Sequence, residues 1–189
     1  MKLIKLSILL FSLQIFSQNT EKDSIIQNKK FEVKIAPLAL LSTGNIFTGF
    51  EYYKNKDFSY GIVLNLDLDR NSSGTYYNNK TIKYQISPFV RYSLSKKQNS
   101  FFYLESYLNL NNGKYSFFER LNDEFGNGYY IKNTKKYTDF AIGFGSGYKF
   151  YIKKTIGVDF NFGFAKNLFN ENSINVIPKG HILLSYRFN

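Results

Sequence analysis

The residues best suited to chemistry are the single histidine, His181, and a serine four positions later, Ser185. A serine nucleophile needs a histidine within hydrogen-bond reach, and a carboxylate such as Glu105 or Asp159 could orient that histidine. In an extended strand, however, two residues four positions apart stand about 13 Å apart. His181 and Ser185 therefore do not form a catalytic pair, and the sequence singles out no other serine. We predict no catalytic residue in this chain.

Ionisable side chains recur on one face of segments that are typical of β-strands. If this face lines a narrow closed barrel, side chains fill the interior, and the charges must pair with one another or with trapped water. We therefore predict a structural polar network in the lumen, rather than an active site or a conduction path. Its members are Glu51, Asp67, Lys83, Arg91, Glu105, Asp139, Asp159 and Arg187.

Metal and phosphate chemistry find little support in the sequence. The chain has no cysteine and one histidine, so no metal-ligand cluster is predicted. Asp67 and Asp69 at a strand end could bind Ca²⁺ weakly, but a solvated strand end is the preferred interpretation. Gly143, Gly145 and Gly147 recur at strand spacing without a following helix, unlike a phosphate-binding loop. We predict neither a metal nor a cofactor.

The elements that position these residues show a period of two. Residues 156–165 (IGVDFNFGFA) place large apolar side chains at even positions and small or polar ones at odd positions. About eight segments of roughly ten residues alternate in this way, and both termini are strands, which predicts an all-β, closed antiparallel transmembrane β-barrel. The residues predicted to face lipid are Ile62, Leu64, Leu66, Phe140, Ile142, Phe144, Val158, Phe160, Phe162, Ile182 and Leu184.

The strands are predicted at 31–41, 46–54, 58–68, 80–94, 100–110, 137–150, 156–166 and 179–189. The links at 54–57, 95–99 and 151–155 are short, whereas those at 69–79, 111–136 and 167–178 are long. This asymmetry predicts short periplasmic turns and longer extracellular loops, with the link at 42–45 as the exception. Pro37 and Pro88 lie within predicted strands, so we expect a bulge or a local break at each.

The first residues have the features of an export signal. Lys2 and Lys5 precede a short apolar run that ends near Ser17 and Gln18, which predicts a signal peptide over 1–18. Residues 19–30 are predicted to be a periplasmic tail, and 31–189 the barrel. The formal net charge of the whole chain is +11. Because the basic residues are spread out and the chain is exported, nucleic acid is not a predicted partner.

Several segments resemble a family of small, uncharacterised outer-membrane barrels from Gram-negative bacteria of the Bacteroidota type. They are 34–41 (KIAPLALL), 49–52 (GFEY), the glycine-rich 141–163 and the terminal 186–188 (YRF). The resemblance implies a monomer in the outer membrane, in contact with its lipids and lipopolysaccharide. Tyr186 and the penultimate Phe188 also resemble the terminal signal that the outer-membrane assembly machinery recognises.

The preferred function is a non-enzymatic barrel with a structural or surface-interaction role. One alternative is a barrel enzyme that modifies lipid A or phospholipid, since some small outer-membrane barrels of similar size use serine, histidine and a carboxylate. A second alternative is a soluble exported lipocalin-like binding protein, in which the same alternation turns its apolar face inward.

Overall fold

Strand pairing closes the chain into a barrel in the computed structural model, which describes residues 29–68, 80–95, 99–122 and 124–189. Every strand pairs with its neighbours in sequence, and the first pairs with the last from Phe31↔Phe188 to Ile35↔Leu184. The predicted closed antiparallel barrel of eight strands is thereby confirmed. The predicted signal peptide and residues 19–28 of the predicted tail lie outside the described residues.

The elements follow one another without crossovers. They are β1 (Phe31–Ile35), α1 (Pro37–Thr43), β2 (Asn45–Tyr53), β3 (Phe58–Asp67), β4 (Lys80–Ser93), β5 (Ser100–Asn122), β6 (Gly128–Ile152), β7 (Ile156–Asn167) and β8 (Val176–Phe188). The short links 54–57 and 153–155 lie at the same end of the barrel as the start of β1 and the end of β8, and so do the end of β4 and the start of β5. We name this end the turn end. The opposite end is the loop end. Within the described residues, no helix is long and apolar enough to cross a membrane.

The two faces of the wall differ in the way that the alternation predicts. On β1, Glu32 and Lys34 are buried inside the barrel, whereas Val33 and Ile35 are exposed outside. Phe160 and Val158 are only half-exposed. They pair directly with Ile182 and Leu184, which are exposed on the outside, and directly paired residues lie on the same face of a sheet. All eleven residues predicted to face lipid lie on the outer face.

The predicted first strand is too long. The strand breaks before Pro37, and residues 37–43 form helix α1 instead of continuing the strand. Proline lacks the N–H that a strand would use, but its fixed φ suits the first position of a helix. Gly44 ends the helix in the left-handed conformation (φ 68°), and its N–H bonds to the carbonyl of Leu40. A proline followed seven residues later by a glycine was therefore a helix signal that the strand interpretation overlooked.

The bulge predicted at Pro88 is absent. Pro88 points outward. Its strand, β4, pairs with β3 in one continuous register, and it also keeps one register with β5 from Ile86 to Phe89. The register instead shifts between Ile82 and Tyr84. As a result Ile82 packs against the interior, although the alternation placed it outside. An extra residue in one strand moves the residues beyond it to the opposite face of the sheet. The alternation of the sequence alone does not show where such an extra residue lies.

The segment predicted as a long loop at 111–136 is mostly strand. β5 and β6 remain paired from Ser100↔Phe150 to Asn122↔Gly128. Beyond Tyr115, β5 has no pairing to β4 among the described residues, so the hairpin of residues 116–134 stands free of the barrel wall. At about 3.4 Å per residue, this hairpin extends roughly 20–25 Å beyond the barrel.

Candidate functional site

Charged side chains fill the turn-end half of the barrel interior. We name them the lumen charge cluster, which consists of the acids Glu32, Glu51, Glu105 and Asp159 and the bases Lys34, Arg91, Lys149, Lys179 and Arg187. Each occupies an inward position of its strand, because the pleat sends alternate side chains to the same face. Four acids thus face five bases, and all of them are buried except Lys179, whose side chain is 10% exposed.

Asp159 lies at the centre of the cluster. It accepts from Lys34 Nζ at 3.0 Å and from Arg91 Nη1 at 2.7 Å. The Tyr103 hydroxyl donates to its other oxygen at 2.5 Å. Lys34 also pairs with Glu51, and Arg91 Nε donates to Glu105 at 2.6 Å. The carboxylate on β7 therefore joins strands from three sides of the barrel.

A second set of contacts surrounds Lys149 at the turn end. Its ammonium lies 2.5 Å from Glu32 and 2.9 Å from Glu51, and it donates to the Tyr53 hydroxyl at 2.6 Å. The Arg187 guanidinium lies over the ring of Tyr53 at 4.3 Å. Stacking on an aromatic face stabilises a guanidinium without a water shell.

Burial makes this cluster sensitive to the loss of any member. Moving a charge out of water costs several kcal/mol, which its partners recover only while all of them are present. Arg91 Nη2 and Arg187 Nη1 have no hydrogen-bond partner among the described residues, so the arrangement is already short of acceptors. The geometry is that of a packed plug of mutually paired charges.

The predicted polar network divides into three parts. Glu51, Arg91, Glu105, Asp159 and Arg187 join the lumen charge cluster. Asp67 and Lys83 form a separate pair at 2.6 Å, nearer the loop end.

Asp139 makes a third, separate arrangement. Its carboxylate accepts from the backbone N–H of Phe169 at 3.1 Å and of Asn170 at 3.0 Å, and from Ser173 Oγ at 2.5 Å. This carboxylate holds the loop between β7 and β8 against β6.

The predicted network omitted four charged members of the cluster. Glu32 and Lys34 have inward parity on β1, and Lys149 shares the parity of Asp139 on β6. Lys179 pairs with Glu105 from the inward face of β8. A consistent application of parity would have found all four.

His181 and Ser185 do not form a catalytic arrangement. The His181 ring packs on Phe47 with 4.0 Å between ring centroids. Ser185 Oγ is buried without a hydrogen-bond partner among the described residues. Within the described chain, no group of three or more His, Cys, Asp or Glu residues is arranged to hold a metal ion.

An apolar layer separates the lumen charge cluster from the loop end. Phe47, Val63, Phe89, Tyr107 and Leu183 are buried there, together with the small residues Ala141 and Ala165. Small residues are required next to the large ones: a Cβ added to Gly143 would collide with the ring of Tyr107.

Above the apolar layer lies a cavity of about 610 Å³, which we name the loop-end cavity. Its lining comes from α1, β2, β3, β4 and β8 and from the loop that precedes β8. At its rim, Lys80 Nζ donates to the carbonyl groups of Glu171 at 2.9 Å and Ser173 at 2.7 Å. The barrel is therefore filled at the turn end and hollow at the loop end.

Comparisons with known proteins bear on the fold. No protein-family model and no curated protein matches the chain. Among solved structures, the chain is similar to the N-terminal β-barrel domain of Pseudomonas aeruginosa OprF, with a TM-score of 0.53 and 9% identity over 85% of this chain and 98% of that one. It is also similar to Neisserial surface protein A (NspA), with a TM-score of 0.45 and 13% identity over 85% of this chain and 93% of that one. At 9% identity, the likeness to the OprF domain supports the eight-stranded barrel fold and nothing more specific.

Proposed function

We propose that this chain is a non-enzymatic outer-membrane β-barrel with a structural or surface-interaction role. The observation that carries the proposal is the orientation of the wall: large apolar side chains cover the outside while the lumen charge cluster fills the inside. A protein in water would expose the charges and bury the apolar residues. A wall of this polarity suits surroundings of hydrocarbon.

Aromatic residues encircle the turn end of the outer face. Their rings touch across strands, as in Phe31–Tyr52 at 5.1 Å, Phe58–Tyr92 at 5.1 Å and Phe102–Tyr148 at 4.6 Å between centroids. Aromatic girdles mark the interfaces between membrane and water in barrels of this kind. The girdle supports a membrane boundary near the turn end, with the turns on the periplasmic side.

The same orientation disfavours the soluble lipocalin-like alternative, which needs an apolar interior. Phe162 and Phe144, on neighbouring strands, expose 62% and 61% of their surface outside the barrel. The barrel-enzyme alternative lacks a paired nucleophile and base, since His181 packs on Phe47. No observation favours either alternative over the structural barrel.

The free hairpin is the surface that supports an interaction role. Phe118 and Tyr130 are exposed beyond the wall, where the membrane no longer covers them. Exposed aromatic groups on a protruding element are typical of partner contacts.

Export and assembly belong to the same proposal. The signal peptide over 1–18 would deliver the chain to the periplasm, and Tyr186 and Phe188 on β8 would engage the assembly machinery. Contact with outer-membrane lipids and lipopolysaccharide, a monomeric state and membership of the Bacteroidota-type barrel family are further parts of this proposal.

The test is fractionation of cell envelopes containing the tagged full-length chain, followed by electrophoresis with and without boiling in detergent. We expect the chain in the outer-membrane fraction, with a mobility that changes on boiling because a folded barrel resists the detergent. Recovery as a soluble periplasmic protein without a mobility change would overturn the proposal.

A further inference from the structure

The barrel wall is incomplete on one side at the loop end. β1 stops at Ile35, opposite Leu184, whereas β8 continues to Val176. The chain after β1 leaves the sheet through Ala36, whose N–H bonds to the carbonyl of Phe47. Helix α1 then occupies the space that the rest of a strand would fill. Among the described residues, the edge of β8 between residues 176 and 183 therefore has no strand beside it on this side.

Helix α1 closes this space only loosely. Within the described residues, no backbone hydrogen bond joins α1 to β8. The two hydroxyl groups of the helix bond to its own carbonyl groups, Ser42 to Leu38 at 2.7 Å and Thr43 to Ala39 at 2.8 Å. No residue of the helix is buried, and Leu41 exposes 83% of its surface. In the described part of the chain, therefore, no hydrogen bond or ion pair fastens α1 to β8.

The loop-end cavity passes through this part of the wall. Its lining includes Ile177 and His181, which point into the barrel, and also Gly180 and Ile182, which point outward from the same strand. The cavity thus reaches the edge of β8 that has no described strand beside it, and that edge is where it comes nearest to the outer face. We name this edge, between α1 and β8, the lateral opening.

The lining offers both apolar and polar contacts. Its apolar groups include Ala36, Leu38, Phe47, Ile82, Ile174 and Ile177. Its polar groups are Asn45, Asn65, Asp67, Thr81 and Gln85 on β2, β3 and β4, with Ser42 and Thr43 on α1 and His181 on β8. A ligand with an apolar chain and a polar head matches both kinds of contact. The volume of about 610 Å³ falls within the usual range of ligand pockets, about 300–1,000 Å³.

We propose that the loop-end cavity binds the acyl chain of a membrane lipid, which enters sideways between α1 and β8. The inference rests on the proposed membrane location, because only then does hydrocarbon lie against Gly180 and Ile182. An open strand edge at membrane depth is tolerated where it lines a cavity rather than bare hydrocarbon. The bilayer thus supplies an occupant directly at the opening.

Gly180 provides the variant that closes the opening. A Cβ added there would meet no atom within 4 Å, so the backbone at this position leaves room for the start of a side chain. Gly180→Phe places a ring in the lateral opening, and Gly180→Leu is the smaller second variant. Ser146→Phe is the matched control, because Ser146 points outward on β6 between Leu104 and Phe162, away from the opening.

The experiment reconstitutes the full chain in nanodiscs of phosphatidylcholine that contain a phosphatidylcholine with a diazirine on its acyl chain. After illumination, mass spectrometry locates the labelled residues. We expect photolabel at the inward Ile177 and His181. The amount of label at these residues should fall about tenfold in the Gly180 variants and should not change in Ser146→Phe. Mobility with and without boiling checks that each variant is folded.

The outcomes separate this inference from the proposed function. Label at outward residues such as Phe162, with none at Ile177 or His181, would overturn the cavity site while leaving the membrane barrel intact. No label on any strand would count against the membrane location itself. A parallel arm uses a water-soluble diazirine-bearing octanoate; inward label from this probe alone would overturn the lateral route in favour of binding through the mouth.

Discussion

Lys34 on β1 donates to Asp159 on β7 at 3.0 Å, although 125 residues separate them in sequence. The two strands are not neighbours in the wall, since β8 lies between them. Their contact spans the interior and requires the closed barrel, because only closure brings β1 within reach of β7. The lumen charge cluster thus fastens strands that no backbone ladder joins.

Asp159→Asn should strongly destabilise the barrel. The change removes the carboxylate shared by Lys34 and Arg91, which leaves three acids to compensate the five bases of the cluster, at a cost of about 3–5 kcal/mol. Urea unfolding of the barrel in lipid vesicles measures this free energy. Asp57→Asn, in an exposed turn, should change it by less than about 0.5 kcal/mol. Similar effects at both sites would mean that the cluster does not stabilise the fold.

Phe160→Arg should impair insertion into the bilayer. Phe160 lies on the outer face beside Ile182 and Tyr148, and an arginine on the lipid face costs from about 0–1 kcal/mol near the interface to about 2–4 kcal/mol at the midplane. Phe118→Arg is the control, because Phe118 lies on the free hairpin and is 61% exposed. The yield of boiling-sensitive barrel after refolding into vesicles compares the two. Equal yields would contradict a lipid-facing outer wall.

Gly147→Ala should destabilise the barrel by overfilling its lumen. A Cβ on Gly147 would collide with the phenol of Tyr103 and with the carbonyl of Phe160. Forcing extra volume into a packed interior costs about 1–3 kcal/mol. The same substitution at Gly180, where a Cβ meets open space, should leave the free energy of unfolding nearly unchanged. A neutral Gly147→Ala would show that the lumen is loosely packed.

Replacement of residues 116–134 by a two-residue Asn-Gly turn should leave the barrel folded. Among the residues that the structure describes, this hairpin pairs only with itself, so its removal takes no described ladder from the wall. The melting temperature and the mobility change on boiling should stay close to those of the full chain. A chain that no longer folds would mean that the hairpin packs on the barrel mouth.

Alternation by itself determined the class of fold and the two faces of the wall. A period of two is a local property, since each residue shares a face with the residue two positions away. The eleven outward residues and the inward Glu51, Arg91 and Asp159 could therefore be assigned before any strand was paired. The short links predicted at 54–57 and 151–155 followed from turn residues in the same local way, although β6 continues to Ile152.

Tertiary structure decided what depends on pairing across the barrel. The register shift before Tyr84, the extension of β5 to Asn122 and the contact of Lys34 with Asp159 all depend on which strand lies alongside, and distant residues set that. Local signals, Pro37 and Gly44, favour a helix after β1. The gap beside β8 that this helix occupies, however, exists only after β1 and β8 have paired to close the wall. The cavity at that gap is a property of the closed barrel because its lining comes from segments that lie far apart in sequence.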